Sequence, residues 1–314
     1  MSKIISEEFC TESDSTGVKY TATWRDYYDL TKPKVVALLM LTAVVGMFLS
    51  TPGMVPLDIL ILGSIGMAFA MAAAAAVNHV VDQRIDAIMS RTENRPMVRG
   101  KIGAQQAITF AAILSIISLV ILDTFVNRLT AVLTLSGIVG YAFIYTMYLK
   151  RATPQNIVIG GIAGAIPPLL GWTAVTNEIH PHALLLVLII FAWTPPHFWA
   201  LAIHRRDEYA KAGIPMLPVT HGIEFTKTSV LQYTVILFIA GMLPYITGMT
   251  GMIYGASAAA LGAVFIYYAY LLKYRSQPAT AMKTFGYSIV YLMLLFAALL
   301  IDHYIPIGKL TATL

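Results

Sequence analysis

The sequence contains few charged residues. Lysine, arginine, aspartate and glutamate make up 12% of its 314 residues, whereas hydrophobic residues make up 58%. A soluble domain usually carries about 25% charged residues. The charges also collect in short segments between long apolar runs, which excludes a soluble fold for the chain. The net charge of +5 does not indicate a nucleic-acid partner, because the basic residues lie between apolar segments and not on a polar domain.

Cysteine is scarce, and the start of the sequence contains no apolar segment. Cys10 is the only cysteine, so no internal disulfide can form and the redox compartment cannot be inferred. The first 23 residues are polar and acidic and contain no apolar core. We therefore expect no cleaved leader, and we expect the first membrane helix to direct insertion. The alternation of polar and apolar residues that is typical of membrane strands is absent, which argues against a membrane β-barrel.

Long apolar segments recur along the whole chain. A bilayer core of about 30 Å requires roughly 20 apolar residues in a helix. A helix also forms all the hydrogen bonds of its backbone internally, as a segment in lipid must. We predict an all-α polytopic membrane protein with nine transmembrane helices around a central cavity. Residues 24–305 would form a single transmembrane domain between a polar tail, 1–23, and a short tail, 306–314. The predicted spans are 34–52, 57–79, 104–124, 130–149, 156–176, 183–203, 228–248, 252–272 and 284–302.

Lysine and arginine concentrate in alternate connections between these spans. Nineteen of the 21 lie in the N-terminal segment or after the second, fourth, sixth and eighth spans; only Arg128 and Lys309 lie on the other side. Since cytoplasmic loops are enriched in these residues, we expect a multi-pass membrane protein with its basic connections in the cytoplasm. Its N-terminus would be cytoplasmic and its C-terminus outside. The two long loops, at about 80–103 and 204–227, would both be cytoplasmic and carry the active site.

Three oxygen-bearing side chains follow the second span. Asn78, Asp82 and Asp86 are spaced i, i+4 and i+8, so they share one face of a helix. Their oxygens suit Mg²⁺, which typically binds one or two carboxylates together with substrate phosphates. The alternative is that they are polar residues at a helix end that reach water. His79 points about 100° away from this face and is not counted as a ligand.

Cations lie close to these oxygens in the sequence. Arginine side chains can bind phosphate oxygens through two parallel hydrogen bonds, so oxygens that bind a metal beside arginines favour a diphosphate site. Arg99 and Lys101, nearest the third span, are assigned to topology instead. The predicted diphosphate-binding residues are Arg91, Asn94, Arg95, Lys150, Arg151, Arg205 and Arg206.

A second polar cluster follows the sixth span. Asp207, Glu208 and Tyr209 add acidic and phenolic oxygens, which could hold a second metal or close over the first. Two prolines should kink this span or open its hydrogen-bond ladder. His197 lies about two turns inside the membrane from Arg205, and an intramembrane histidine is a functional candidate. The alternative is a neutral histidine bonded to a carbonyl that the prolines free.

The motifs resemble those of the UbiA-type intramembrane prenyltransferases. The Asn78-x-x-x-Asp82-x-x-x-Asp86 element is typical of the superfamily, and the other motifs are similar to its haem O synthase branch. The resemblance covers about residues 24–302. Residues 205–209, RRDEY, depart from the second Asp-x-x-x-Asp of many UbiA-type enzymes. The branch motifs are LTKPK (30–34), RTENRP (91–96), YLKR (148–151), TPQNIVIGG (153–161), GAIPPLLGW (164–172), TPPHFWAL (194–201) and AGIPMLPV (212–219).

The resemblance implies that farnesyl diphosphate and haem b are substrates and Mg²⁺ is the cofactor. A haem vinyl group would take the farnesyl group with addition of water, giving haem o and diphosphate. Asn78, Asp82 and Asp86 would be catalytic, and His197 would position water or bind haem. Expected partners are the bilayer and a terminal oxidase or haem A synthase machinery. The alternatives are a UbiA-type enzyme acting on a quinone precursor or chlorin, a transporter, and a non-catalytic haem-binding subunit.

Overall fold

The computed structural model describes residues 22–305, apart from the side chain of Arg151. Within that range the chain is helical and contains no strand. Eight helices are long and apolar enough to cross a membrane, and a pair of helices that meet at 52°, Trp24–Leu30 and Pro33–Leu49, supplies a ninth candidate. The prediction of an all-α multi-span protein is therefore confirmed. The predicted tails lie almost entirely outside the described residues, and the domain division and the central cavity stay predictions.

The long helices match the predicted spans closely, with one difference that matters for function. The second predicted span ended at residue 79, but the helix continues to Asp86. A short helical turn, Lys150–Ala152, follows the fifth helix. The helices are α1 Trp24–Leu30, α2 Pro33–Leu49, α3 Ile59–Asp86, α4 Ala104–Val126, α5 Arg128–Leu149, α6 Asn156–Thr176, α7 Pro181–His204, α8 Arg206–Lys211, α9 Leu217–Thr220, α10 Ile223–Ile246, α11 Met252–Tyr274 and α12 Thr280–Tyr304.

The helices pack as a closed bundle. Each helix from α3 to α7 contacts the next, α10 packs on α7 and α11, and α12 packs on α11 and α7. The bundle closes because α2 contacts α3, α6 and α12. The contact between α2 and α6 depends on glycine: a Cβ on Gly171 would lie 1.9 Å from the carbonyl oxygen of Ala43, and one on Gly46 would lie 2.2 Å from that of Pro168. Small residues allow membrane helices to approach this closely.

The alanine-rich part of α3 positions the polar residues that follow it. Ala73 and Ala76 are fully buried and pack in one cluster with Ala107 and Ala111 of α4. Small side chains on both helices bring their backbones close. The part of α3 that precedes the carboxylates is therefore supported by α4 on one side, and Gln83 Nε2, near its end, donates to the carbonyl of Met97 in the following loop at 3.0 Å.

The two long loops lie at the same end of the bundle. Ile85 and Met89, at the end of α3, form a buried cluster with Tyr209, Ile214 and Met216 from the loop after α7. Apolar side chains in contact across two loops hold both loops in place by removing apolar surface from water. The expectation that the two loops lie at the same end is therefore supported. The function and the cytoplasmic location of that end stay predictions.

Candidate active site

The three oxygen-bearing residues of α3 lie on one continuous helix and are buried. Asn78, Asp82 and Asp86 expose only 3–4% of their surface. Asn78 Nδ2 donates a hydrogen bond to Asp82 Oδ2 at 2.7 Å, which is the contact expected for residues four apart on a helix. Their burial argues against the alternative in which these side chains reach from a helix end to water. Such a row of buried polar side chains requires partners from elsewhere in the chain.

Each carboxylate has a cation as its partner. Lys150 Nζ lies 2.6 Å from Asp82 Oδ2, and the side chains of Lys150 and Asp82 are 19% and 4% exposed. Arg95, from the loop after α3, forms an ion pair with Asp86. Lys150 and Arg95 were both predicted to bind diphosphate, and the structure brings both to the carboxylates. A buried charge pair of this kind avoids the cost of an isolated buried charge.

A third cation, Lys32, was missed by the sequence analysis. Its Nζ donates a hydrogen bond to Asn78 Oδ1, so it lies beside the carboxylates. Lys32 links α1 to α2 with a φ of 51°, a left-handed conformation that costs a non-glycine residue of order 1–3 kcal/mol. Pro33 begins α2 directly after it. Its place in the LTKPK motif was the one feature of the sequence that could have indicated a role in the site. The sequence analysis used its charge only to predict topology.

An irregular helix segment supports the site from α5. Gly140–Leu149 is π-helical, and π-helical turns occur frequently at functional sites. It places the buried Thr146 so that Asn78 Nδ2 lies 3.5 Å from the Thr146 hydroxyl. Asn156 Nδ2 then donates to the carbonyl of Lys150 at 3.3 Å, which fixes the backbone of that lysine. The sequence analysis missed both Thr146 and Asn156, since neither carries a charge.

Asn94, Arg99 and Lys101 of the loop after α3 have partners away from the carboxylates. Asn94 is exposed and accepts a hydrogen bond from Arg99, so the structure does not bring it to the carboxylates. Lys101 Nζ donates to Asp26 Oδ1 of α1 at 2.9 Å. Arg99 and Lys101 were assigned to topology, and that assignment stays a prediction. Arg91 is exposed, and the side chain of Arg151 lies outside the described part of the chain.

The second polar cluster is bonded mostly within its own segment. Arg205 Nη1 donates to both carboxylate oxygens of Glu208 at 3.2 Å. Arg206 Nε donates to the carbonyl of Pro218 at 3.1 Å, and its Nη1 lies 3.7 Å from the exposed Asp207. Within residues 22–305, no three His, Cys, Asp or Glu side chains converge on a metal position. A second metal at this cluster stays a prediction.

Tyr209 is the buried member of the second cluster. It belongs to the same buried cluster as Ile85 of α3 and Met89 of the following loop. Burial raises the pKa of the Tyr209 phenol, against the opposing influence of the positive charges of Arg91 and Arg205. The phenol therefore keeps its proton at neutral pH and can donate a hydrogen bond. Arg91 is brought close to the second loop, although it makes no ion pair with the carboxylates of α3.

His197 is held by a side chain from another helix. Helix α7 continues through its two prolines without interruption. The His197 ring stacks on Trp193, with 4.2 Å between ring centroids, and on Phe285, with 4.6 Å. His197 Nδ1 lies 2.6 Å from Ser288 Oγ of α12. The alternative was that a carbonyl freed by the prolines holds this histidine. At Nδ1 the structure shows the hydroxyl of Ser288 instead.

The donor set on α3 fits a hard divalent cation. Asp82 Oδ1 is buried and accepts no hydrogen bond from the described residues, a state that costs about 1–3 kcal/mol for a polar group without a partner. Together with the oxygens of Asn78 and Asp86, it offers the oxygen-only ligands that Mg²⁺ prefers. The ring nitrogens of His79 are likewise buried and unbonded in this part of the chain. They are poor ligands for a hard cation.

The fold and the site define a multi-span membrane protein with buried carboxylates and cations clustered at one end of a helical bundle. Residues 39–300 match the UbiA prenyltransferase family. The chain belongs to that family, as the motifs of α3 and the following loop indicated.

Relatives of high similarity cover most of the chain. The protein named protoheme IX farnesyltransferase from Alcanivorax borkumensis is 67% identical over 286 residues, covering 90% of this chain and 94% of the relative. Protoheme IX farnesyltransferase 2 from Pseudoalteromonas atlantica is 65% identical over 281 residues, 90% of this chain and 92% of the relative. The resemblance to the haem O synthase branch is thereby confirmed.

Solved structures of lower identity share the fold. A structure of digeranylgeranylglyceryl phosphate synthase aligns with a TM-score of 0.76 at 21% identity, covering 89% of this chain and 98% of that one. A UbiA homolog from Archaeoglobus fulgidus, bound to GPP and Mg²⁺, aligns with a TM-score of 0.60 at 20% identity over 87% of this chain and 99% of that one. At these identities the likeness concerns the fold alone.

Proposed function

We propose that this protein transfers the farnesyl group of farnesyl diphosphate to a vinyl group of haem b, with addition of water, to give haem o and diphosphate. The observation that carries the proposal is the 67% identity to a protoheme IX farnesyltransferase across 90% of the chain. The position of Lys150 and Arg95 on the carboxylates of α3 supports it. An enzyme that releases diphosphate needs such cations where negative charge develops.

The cations of the site act on the donor half of the reaction. The C1–O bond of farnesyl diphosphate breaks, and its electron pair leaves with diphosphate. Lys32, Lys150 and Arg95 stabilise the charge that grows on the departing oxygens, at positions set by their contacts with α3. Asn78, Asp82 and Asp86 would hold Mg²⁺, which supplies further stabilisation of that charge when bound. Arg91, Arg205 and Arg206 add positive charge at the same end, and Arg151 stays a predicted diphosphate ligand.

His197 belongs to the acceptor half of the proposed reaction. The terminal vinyl carbon of haem b bonds to C1 of the farnesyl group, water oxygen bonds to the inner vinyl carbon, and one proton is released. His197 would position that water or contact the haem. Its burial among Trp193 and Phe285 provides a dry environment in which the farnesyl cation is protected from premature water. The buried phenol of Tyr209 offers a hydrogen-bond donor at the end where the two loops meet.

The proposed setting is the bacterial inner membrane, with the carboxylates at the cytoplasmic end. The concentration of lysine and arginine in the connections at that end supports this orientation. It places the N-terminus in the cytoplasm and the C-terminus outside. Water-soluble diphosphate would leave on the cytoplasmic side, and haem o would remain in the bilayer for haem A synthase or a terminal oxidase.

Product analysis tests the proposal directly. The purified protein is incubated with haem b, farnesyl diphosphate and Mg²⁺, and the haem is analysed by mass spectrometry while diphosphate is measured separately. We expect a haem that has gained one farnesyl group and one hydroxyl group, with one diphosphate and one proton released for each. Parallel incubations contain a quinone precursor or a chlorin in place of haem b. Prenylation of either of these, with haem b unchanged, would refute haem b as the acceptor. A protein that releases no diphosphate would refute prenyl transfer itself.

A further inference from the structure

Ser288 is bonded to two side chains and one backbone carbonyl in the interior of the bundle. It is fully buried on α12. Its Oγ lies 2.6 Å from His197 Nδ1 and 2.6 Å from the carbonyl oxygen of Phe285, three residues earlier on the same helix. Its own carbonyl accepts a hydrogen bond from Trp193 Nε1 at 2.7 Å. Both Trp193 and His197 belong to α7, so Ser288 joins α12 to one face of that helix.

These contacts determine which nitrogen of His197 carries the proton. A carbonyl oxygen has no hydrogen, so the short contact between Ser288 Oγ and the carbonyl of Phe285 requires the serine proton to lie there. The serine hydroxyl has only one proton. At 2.6 Å from His197 Nδ1, the same oxygen must therefore accept, and Nδ1 must donate. In the neutral ring this leaves Nε2 without a proton and with its lone pair free.

We propose that Ser288 is a positioning residue, which holds His197 in the Nδ1-protonated tautomer so that the Nε2 lone pair is presented on the opposite edge of the ring. This rests on the proposed role of His197 in the acceptor half of the reaction. A lone pair at Nε2 is what the ring needs either to accept a proton from water or to contact haem iron. The other tautomer would place a proton on Nε2 and block both.

The surrounding rings complete the positioning. Trp193 and Phe285 stack on His197 with interplanar angles of 20° and 29°, and Phe198 meets it edge-on at 84°. The ring cannot rotate about its Cβ–Cγ bond without disturbing these contacts. Ser288 therefore selects the tautomer, and the aromatic side chains fix the plane in which the lone pair lies.

The chain offers a matched control one turn away. Thr284 is also fully buried on α12, and its hydroxyl donates to the carbonyl of Thr280 at 2.9 Å. Thr284→Val and Ser288→Ala each remove a buried hydrogen bond from a side-chain hydroxyl to the helix backbone. Only Ser288→Ala also removes the hydrogen bond to His197. The two variants separate a loss of helix stability from a loss of the tautomer.

The experiment combines kinetics with nitrogen NMR of the full-length protein in detergent. In protein labelled with ¹⁵N-histidine, the His197 signals are identified by their loss in His197→Asn. We expect a proton on Nδ1 and none on Nε2, and a mixture of tautomers in Ser288→Ala. In that variant kcat should fall by about tenfold or more, since general-base catalysis typically contributes 10²–10⁴-fold. The KM for farnesyl diphosphate should not change. Ser288→Thr should restore kcat, and Thr284→Val should keep it.

Three results would overturn the proposal. The first is a native His197 with its proton on Nε2. The second is a Ser288→Ala variant whose kcat falls no further than that of Thr284→Val. The third is native turnover in His197→Ala, which refutes the role of His197 on which the proposal rests. Failure of the proposed function can be told apart from failure of this proposal. The product analysis shows whether the protein makes haem o, whereas the NMR measurement reports the tautomer of His197 without any turnover.

Discussion

Replacing Asp82 by asparagine tests the central carboxylate of the site. Asp82 Oδ2 accepts hydrogen bonds from Asn78 at 2.7 Å and from Lys150 at 2.6 Å. Asparagine keeps the size of the side chain and an acceptor oxygen but removes the negative charge. We expect turnover to haem o to fall by about 10²–10³-fold, the typical cost of removing one preorganised electrostatic contact. The assay is mass analysis of the haem product under saturating substrates.

Asp82→Asn should also lower the free energy of unfolding, because it breaks the ion pair between Asp82 and Lys150. Removing one partner of a buried pair costs about 3–5 kcal/mol, because the other charge is left uncompensated. The Lys150 side chain is still 19% exposed, so we expect the lower end, about 3 kcal/mol. The double variant Asp82→Asn/Lys150→Gln removes the orphaned cation and should recover most of the lost stability, as measured by thermal unfolding in detergent, without recovering activity.

A second buried carboxylate provides the control. Asp302, at the opposite end of the bundle, accepts hydrogen bonds from the backbone N–H groups of Gly251 at 2.5 Å and Tyr254 at 3.1 Å. Asp302→Asn should lower the melting temperature but leave kcat near the native value at a temperature where the variant is folded. Native turnover in Asp82→Asn, or an equal loss of kcat in Asp302→Asn, would refute the assignment of the site to α3.

Three further outcomes are expected. Lys32→Met should raise the KM for farnesyl diphosphate by about tenfold or more, which is the effect of losing a hydrogen bond to a charged group. Lys34 is exposed, and Lys34→Met should leave this KM unchanged. If the KM of Lys32→Met equals that of Lys34→Met, Lys32 does not bind the diphosphate. Chelation of divalent cations should abolish haem o formation and added Mg²⁺ should restore it, so turnover in the presence of excess chelator would contradict the proposed metal. In a background without cysteine, new cysteines at Ser90 and Thr220 should react with an impermeant label only from the cytoplasmic side, and labelling from opposite sides would overturn the topology.

The helices could be predicted from the sequence because the bilayer imposes their length and apolar character. The shared face of Asn78 and Asp82 was also predictable, since it follows from the helix period alone. The contact of Lys32 with Asn78 joins residues 46 positions apart, and that of His197 with Ser288 joins residues 91 apart. Such contacts depend on which helices pack together, and hydropathy contains no information on that.

The charges of the site explain why it should select an anion. Asp82 and Asp86 contribute two negative charges, and Lys32, Lys150 and Arg95 bring three positive charges to the same turns of α3. Asn78 bridges the two sets, since its oxygen accepts from a lysine and its nitrogen donates to a carboxylate. An excess of positive charge in a low-dielectric interior attracts an anion strongly. A diphosphate that arrives with Mg²⁺ would suit both sets at once. In the proposed site the carboxylates and the amide oxygen would hold the metal, and the three cations would remain for the phosphate oxygens.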